Sequence, residues 1–112
     1  TAARYGSGLV EVFATPALVA LMEQAALQSV NQLLPEGYTT VGIEISVRHT
    51  KASPVGTLLD CTATLERSEG NKLFFRVEAS DGTGLIGFGT HTRYIVNAND
   101  FFSRLTSAQQ DQ

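Results

Sequence analysis

Between Glu11 and Glu36 the chain carries one ionisable side chain, Glu23, within the apolar run Thr15-Pro-Ala-Leu-Val-Ala-Leu-Met-Glu-Gln-Ala-Ala-Leu-Gln-Ser-Val. A carboxylate in such surroundings is costly unless something pairs with it or uses it. A second off-pattern group ends the run from Thr40 to Lys51. There Val41, Ile43, Ile45 and Val47 alternate onto one face, and the next residue of that parity is His49. One acid and one imidazole in a small domain are the minimum equipment for general acid–base chemistry. Each also has an ordinary explanation. Glu23 at the edge of a polar stripe keeps its head in water, and a core histidine is commonly satisfied by a backbone carbonyl.

The elements that must position these groups follow from the pattern. Thr15 reads as an N-cap, Pro16 as the first helical position and Pro35-Glu36-Gly37 as the stop, so one long helix carries Glu23. Gln24, Gln28, Asn31 and Gln32, joined by Ala17 and Ala20, form its wet stripe. Glu23 lies roughly 120° from the stripe's centre, among Val19, Leu27, Val30 and Leu34. It therefore points toward the apolar side. Beyond Gly37 the pattern alternates, broken at Ser53-Pro54-Val55-Gly56, Glu69-Gly70-Asn71 and Asp81-Gly82-Thr83-Gly84. These breaks predict hairpins, hence an antiparallel meander from Thr39 to Asn97, with a short strand around Leu9 to Phe13 added to it. Leu59, Cys61, Ala63 and Leu65, then Leu73, Phe75, Val77 and Ala79, supply the faces that pack on the helix. In Leu85 to Val96 both faces carry bulky residues and the alternation is ambiguous. His91 has the opposite parity to Phe88 and Tyr94, which places it in a structural role or on the outer face. A short C-terminal helix is expected around Asn99 to Leu105, followed by a disordered tail from Ser107 to Gln112.

Composition narrows the function classes. At 112 residues and 43% hydrophobic, the chain is a single α+β domain spanning residues 1–112. A net charge of −3 with eight scattered basic residues argues against nucleic acid or an anionic membrane as partner. One cysteine, Cys61, excludes an internal disulfide, and two histidines well separated in sequence form no spaced metal-ligand set. No signal peptide is visible, and the polar residues within 12–35 make that run a poor membrane span. A cytoplasmic protein without metal is expected.

Three separated motifs, Val12-Phe-Ala-Thr-Pro-Ala-Leu-Val-Ala-Leu-Met-Glu, Thr40-Val-Gly-Ile-Glu-Ile-Ser-Val-Arg-His-Thr-Lys-Ala-Ser-Pro-Val-Gly and Ile86-Gly-Phe-Gly-Thr-His-Thr-Arg, carry a family resemblance. With compatible spacings from about Leu9 to Phe102, the chain resembles the hotdog-fold thioesterases of the fluoroacetyl-coenzyme A thioesterase-like group. The resemblance implies an antiparallel sheet wrapped around one long central helix, and a homodimer or higher homo-oligomer with active sites at the subunit interface. It also implies a small acyl-CoA substrate, with no cofactor beyond the coenzyme A of that substrate. The family's catalytic threonine, glutamate and histidine match Thr15, Glu23 and His49. A strand glycine whose N–H approaches the thioester carbonyl matches Gly42. An arginine of the family's Thr-His-x-Arg motif matches Arg93, which would meet a coenzyme A phosphate or a surface acid. The fluoroacetyl-specific enzyme carries a phenylalanine-containing lid before the helix, whereas Tyr5 to Val12 here contains no Phe. The catalytic set transfers; the fluoroacetyl substrate does not.

Within that set, Glu23 acts as nucleophile, through a transient anhydride, or as general base for water, with His49 as proton-transfer partner. Burial should raise the Glu23 pKa and a nearby protonated His49 lower it, so the two would titrate as a coupled pair. Thr15 and Glu23 are eight residues apart, roughly 12 Å along the axis at 1.5 Å per residue, so either the set is shared across two subunits, the reading favoured, or Thr15 contacts a different part of the substrate. Gly42 interrupts a β-branched strand, either to admit a ligand carbonyl or to form a bulge. A non-catalytic acyl-CoA binding or sensing module is the alternative, and an enoyl-thioester hydratase ranks third.

Overall fold

Ala and Leu, strong helix formers, fill the stretch behind Pro16, and they form helix α1 from Thr15 to Asn31. Its last carbonyls are taken by the N–H groups of Leu33 (2.9 Å) and Leu34 (3.4 Å). Tyr38 N–H then donates to Pro35 O at 3.1 Å across a turn in which Gly37 has φ 88°, a conformation that favours glycine. The structure, a computed structural model, describes residues 2–9, 15–54 and 56–110. Around α1 runs one antiparallel sheet of β1 (Ala2–Leu9), β2 (Tyr38–His49), β3 (Leu58–Glu69), β4 (Lys72–Asp81) and β5 (Gly84–Asn97), in the spatial order β1-β3-β4-β5-β2. Helix α2 (Ala98–Gln110) follows β5.

Leu18, Met22, Ala25, Ala26 and Val30 recur along one stripe of α1 and are buried against Leu59, Cys61 and Ala63 of β3 and Leu73, Phe75, Val77 and Ala79 of β4. The core is thus the helix stripe laid on the inward faces of the β3–β4 hairpin, as their alternation predicted. Burial pushes the Cys61 thiol up to about 12, which removes it as a nucleophile near neutral pH.

Three expectations are corrected. The meander covers only β3–β4–β5; β2 pairs with β5 and forms an edge, because the eight-residue β2–β3 connection crosses the end of the sheet instead of turning tightly. That connection is pinned where Ser53, 1% exposed, donates to Asp81 Oδ2 at 3.0 Å, and where Thr50 and Lys51 N–H groups donate to Ile86 O. The first strand lies earlier than expected and ends at Leu9; the rest of the predicted Leu9–Phe13 strand falls outside the described residues. The last helix extends to Gln110 instead of ending near Leu105, since Ser107-Ala-Gln-Gln holds no helix breaker. Among the described residues no helix is long and apolar enough to cross a membrane.

Candidate functional site

Two bulges decide which side chains face α1 from the β2–β5 ribbon. In β2 the partners step from Gly42↔Arg93 to Glu44↔Thr92, leaving Ile43 as the extra residue, 51% exposed. A bulge reverses the parity of all that follows. Hence Val41 and Ile43 do not share a face with Ile45 and Val47 as the plain alternation required. Thr40 and Gly42 face the helix before the bulge, and Ile45, Val47 and His49 lie on the half-buried side after it. In β5 the partners step from Ser80↔Leu85 to Ala79↔Gly87, leaving Ile86 without an opposite. After that shift Gly87, His91 and Arg93 face inward, and Phe88 and Tyr94 are turned out.

His91 is therefore not on the outer face. It is 1% exposed, opposite Phe75 in register, with the two ring centroids 6.3 Å apart. Its sequence signal was the known parity relation to Phe88 and Tyr94, read with the faces interchanged. Arg93 is 6% exposed, so it is buried and does not lie at the surface. Its guanidinium donates through Nε to Thr40 Oγ1 (2.7 Å) and through Nη2 to Thr40 O (2.8 Å), and Nη1 lies 3.1 Å from His91 Nε2.

Glu23 completes this cluster. A Cβ placed on Gly42 would stand 3.1 Å from Glu23 Oε2, 3.1 Å from His91 Cε1 and 3.3 Å from Arg93 Nη1. The carboxylate thus reaches the sheet from the half-buried side of α1, as expected, and stops over the one position of β2 without a side chain. Its charge acts on both His91 and Arg93. Burial pulls the His91 pKa below the ordinary imidazole value; its bond to the Glu44 carbonyl opposes this, Arg93 adds to it and Glu23 opposes it. Burial likewise lowers Arg93, against the pull of Glu23.

Thr15 and His49 meet two helical turns away. Thr15 Oγ1 lies 3.3 Å from His49 Nδ1, so the helix-start hydroxyl contacts the imidazole. His49 Nε2 is buried with no hydrogen-bond partner among the described residues, a state that normally marks a missing water, ligand or second chain. His49 stands opposite Gly87, where an added Cβ would stand only 2.8 Å from Leu18 Cδ2. Within one chain, then, Thr15 joins His49, while Glu23 joins Gly42, His91 and Arg93. The imidazole beside Glu23 within the chain is His91, and the expected Glu23–His49 pair is not formed there. A hollow of about 430 Å³ opens on the outer side of the sheet among Ser46, Arg48, Glu66, Arg76, Phe88 and Thr90, and holds none of these groups.

Comparison with known proteins converges on one group. The family described as "FlK: Fluoroacetyl-CoA-specific thioesterase" matches residues 1–99. The fluoroacetyl-CoA thioesterase of Streptantibioticus cattleyicolor is 40% identical over 95 residues, which cover 85% of this chain and 68% of that enzyme. A solved structure of the fluoroacetyl-CoA thioesterase FlK superposes with a TM-score of 0.83 at 31% identity, over 96% of this chain and 92% of that one. A hot-dog-like protein from Thermanaerovibrio acidaminovorans gives 0.88 at 24% identity, over 96% and 90%, a likeness of fold. The sheet wrapped on one helix is the hotdog fold, and the chain belongs to the fluoroacetyl-CoA-specific thioesterase family and is a thioester hydrolase.

Proposed function

We propose that the chain hydrolyses a small acyl-CoA thioester at a site formed by Thr15, Glu23 and His49 with Gly42 and Arg93, completed across a homodimer or higher homo-oligomer. The observation that carries this reading is the carboxylate of Glu23 poised over the bare backbone of Gly42. A thioester carbonyl lying against the Gly42 N–H would have its carbon within reach of Glu23 and its oxygen at a donor for the developing oxyanion. Glu23 then attacks directly, giving an anhydride that water opens, or removes a proton from the attacking water. His49, its Nε2 free for a partner, delivers a proton to the departing thiolate. The sum is thioester plus water to carboxylic acid plus free thiol, and it calls on no metal or other cofactor.

Sharing between subunits is supported by two features. The Thr15–His49 pair and Glu23 lie at separate stations of α1, and β2, twelve residues long, is an edge of the sheet available to pair with a second copy. A mutant of the related FlK has been crystallised with fluoroacetate and CoA, which supports CoA esters as the substrate class here. The chain's lone free thiol is consistent with a cytoplasmic setting. The acyl group is left to experiment, since the lid phenylalanine of the fluoroacetyl-specific enzyme has no match in Tyr5 to Val12.

A panel of short acyl-CoA thioesters, followed by release of free thiol, tests the proposal. Turnover of at least one member is expected. Binding of CoA esters without turnover would make the chain a sensing module instead, and a fully active monomer in solution would contradict the shared site.

A further inference from the structure

The cluster beneath Glu23 contains a histidine to which the hydrolysis scheme gives no part. His91 Nδ1 lies 2.8 Å from the Glu44 carbonyl oxygen, which only accepts, so Nδ1 carries a proton. Its Nε2 lies 3.1 Å from Arg93 Nη1, and a guanidinium only donates, so Nε2 is bare. The two contacts admit one form of the ring, the neutral Nδ1–H tautomer. A proton on Nε2 would break the bond to Arg93 and set two cations side by side in a buried place.

The groups facing the ring come from every element around it: Arg93 on its own strand, the Glu44 carbonyl on β2, Phe75 on β4 and the Glu23 carboxylate on α1. Arg93 has five N–H groups, of which Thr40 takes two and His91 one. His91 thereby gives Nη1 its acceptor, so the planar guanidinium is held at both ends, and Nη1 borders with Glu23 the space above Gly42. Thr40 alone holds the Nε–Nη2 edge and leaves Nη1 without an acceptor.

We propose that His91 is a positioning residue of the hydrolase: as a neutral Nδ1–H imidazole strung between the Glu44 carbonyl and Arg93 Nη1, it holds Nη1 of the guanidinium beside the space above Gly42 that the Glu23 carboxylate also borders. The carboxylate is thereby kept opposite a cation that does not close onto it, and the space between stays open for the reacting group. The bulge at Ile43 is part of the device, since Glu44, whose carbonyl anchors the ring, is the first residue after it. This inference rests on the reading of Glu23 as the reacting carboxylate.

Three substitutions separate positioning from packing. In His91→Gln the side-chain oxygen reaches the place of Nε2 and still accepts from Arg93. In His91→Asn the amide reaches only the place of Nδ1, keeping the Glu44 bond and leaving Arg93 unpartnered; His91→Phe fills the space and bonds neither. With the short acyl-CoA that turns over fastest, Asn and Phe are expected to lower kcat about tenfold or more with KM within about twofold, and Gln to recover kcat to within about threefold of the parent. Equal recovery by Asn and Gln, or full kcat in His91→Phe, overturns the proposal. Nitrogen-15 NMR of the imidazoles in the unaltered protein gives a reading independent of whether the variants fold. A neutral ring protonated at Nδ1 at pH 7 supports the proposal, and an Nε2–H or cationic ring overturns it. Glu23→Gln, assayed alongside, tells the two readings apart: full activity there removes the role of Glu23 and leaves the His91 tautomer result standing.

Discussion

The β3–β4 hairpin and the β2–β5 ribbon belong to one sheet and cover the same helix, yet they are built on different terms. Along the stretch that covers α1, the hairpin keeps an unbroken alternation, and its inward residues Leu59, Cys61, Ala63, Phe75, Val77 and Ala79 are apolar and 0–1% exposed. Its own register shift comes after Leu65, where the strands run out toward solvent. The ribbon is bulged at Ile43, its strand β5 is shifted against β4 at Ile86, and its inward face carries Thr40, Gly42, His91 and Arg93. One region supplies burial energy and the other carries the polar groups of the proposed site. Polar side chains are held inside because a rigid apolar neighbour already secures the helix.

The largest expected effect strikes the hairpin. Leu59→Ala should cost about 2–5 kcal/mol in urea unfolding, by lost transfer energy and a cavity beneath α1, with turnover per folded molecule little changed. Should activity fall with stability intact, the division between the two regions fails. In the ribbon, Gly42→Ala should do the reverse. The new methyl stands 3.1 Å from Glu23 Oε2 and His91 Cε1, closer than most side-chain contacts allow, so those groups must move. Displacing a reacting group by a fraction of an ångström to one ångström costs roughly 10–100-fold in kcat/KM. Steady-state kinetics together with a thermal melt would show it as a loss of rate at nearly unchanged stability.

This contrast also explains what the sequence made legible. Alternation named every buried residue of the hairpin, and the 3.6-residue period placed Glu23 on the sheet side of α1, because nothing interrupts either pattern. In the ribbon each bulge moves a whole strand segment to the opposite face, and neither Ile43 nor Ile86 differs in type from an ordinary strand residue. No shift falls between Phe88 and Tyr94; His91 and Arg93 were hidden because bulky Phe88 and Tyr94 occupy the outer face, which left the alternation two candidate inward faces. Gly42 was the one local sign, a residue with no side chain in a β-branched run. The β2–β5 pairing was out of reach for another reason, since it joins residues some fifty positions apart and depends on the crossing of the β2–β3 connection.

A smaller effect concerns acid. His91 has a folded-state pKa below its unfolded value, so its contribution is present above about pH 6.5 and is lost as the pH falls below that and the unfolded state binds the proton. Asp81, held low by bonds from the Thr83 hydroxyl and N–H with Ser53 and Lys51 assisting, acts in the same direction below about pH 4. Thermal midpoints measured from pH 8 downward should therefore fall in two steps, and His91→Gln should remove the upper one. The smallest effect belongs to Cys61, whose alkylation should be negligible until the chain unfolds, followed by mass against denaturant.

The central claim is that Glu23, facing Gly42 across the bulged ribbon, is the carboxylate that reacts. Its most direct test is the rate of thiol release by Glu23→Gln, an isosteric change, against the parent at matched folded concentration and with far-ultraviolet circular dichroism as control. The account predicts a fall in kcat of about two to four orders of magnitude with the spectrum unchanged. A rate within about threefold of the parent would contradict it.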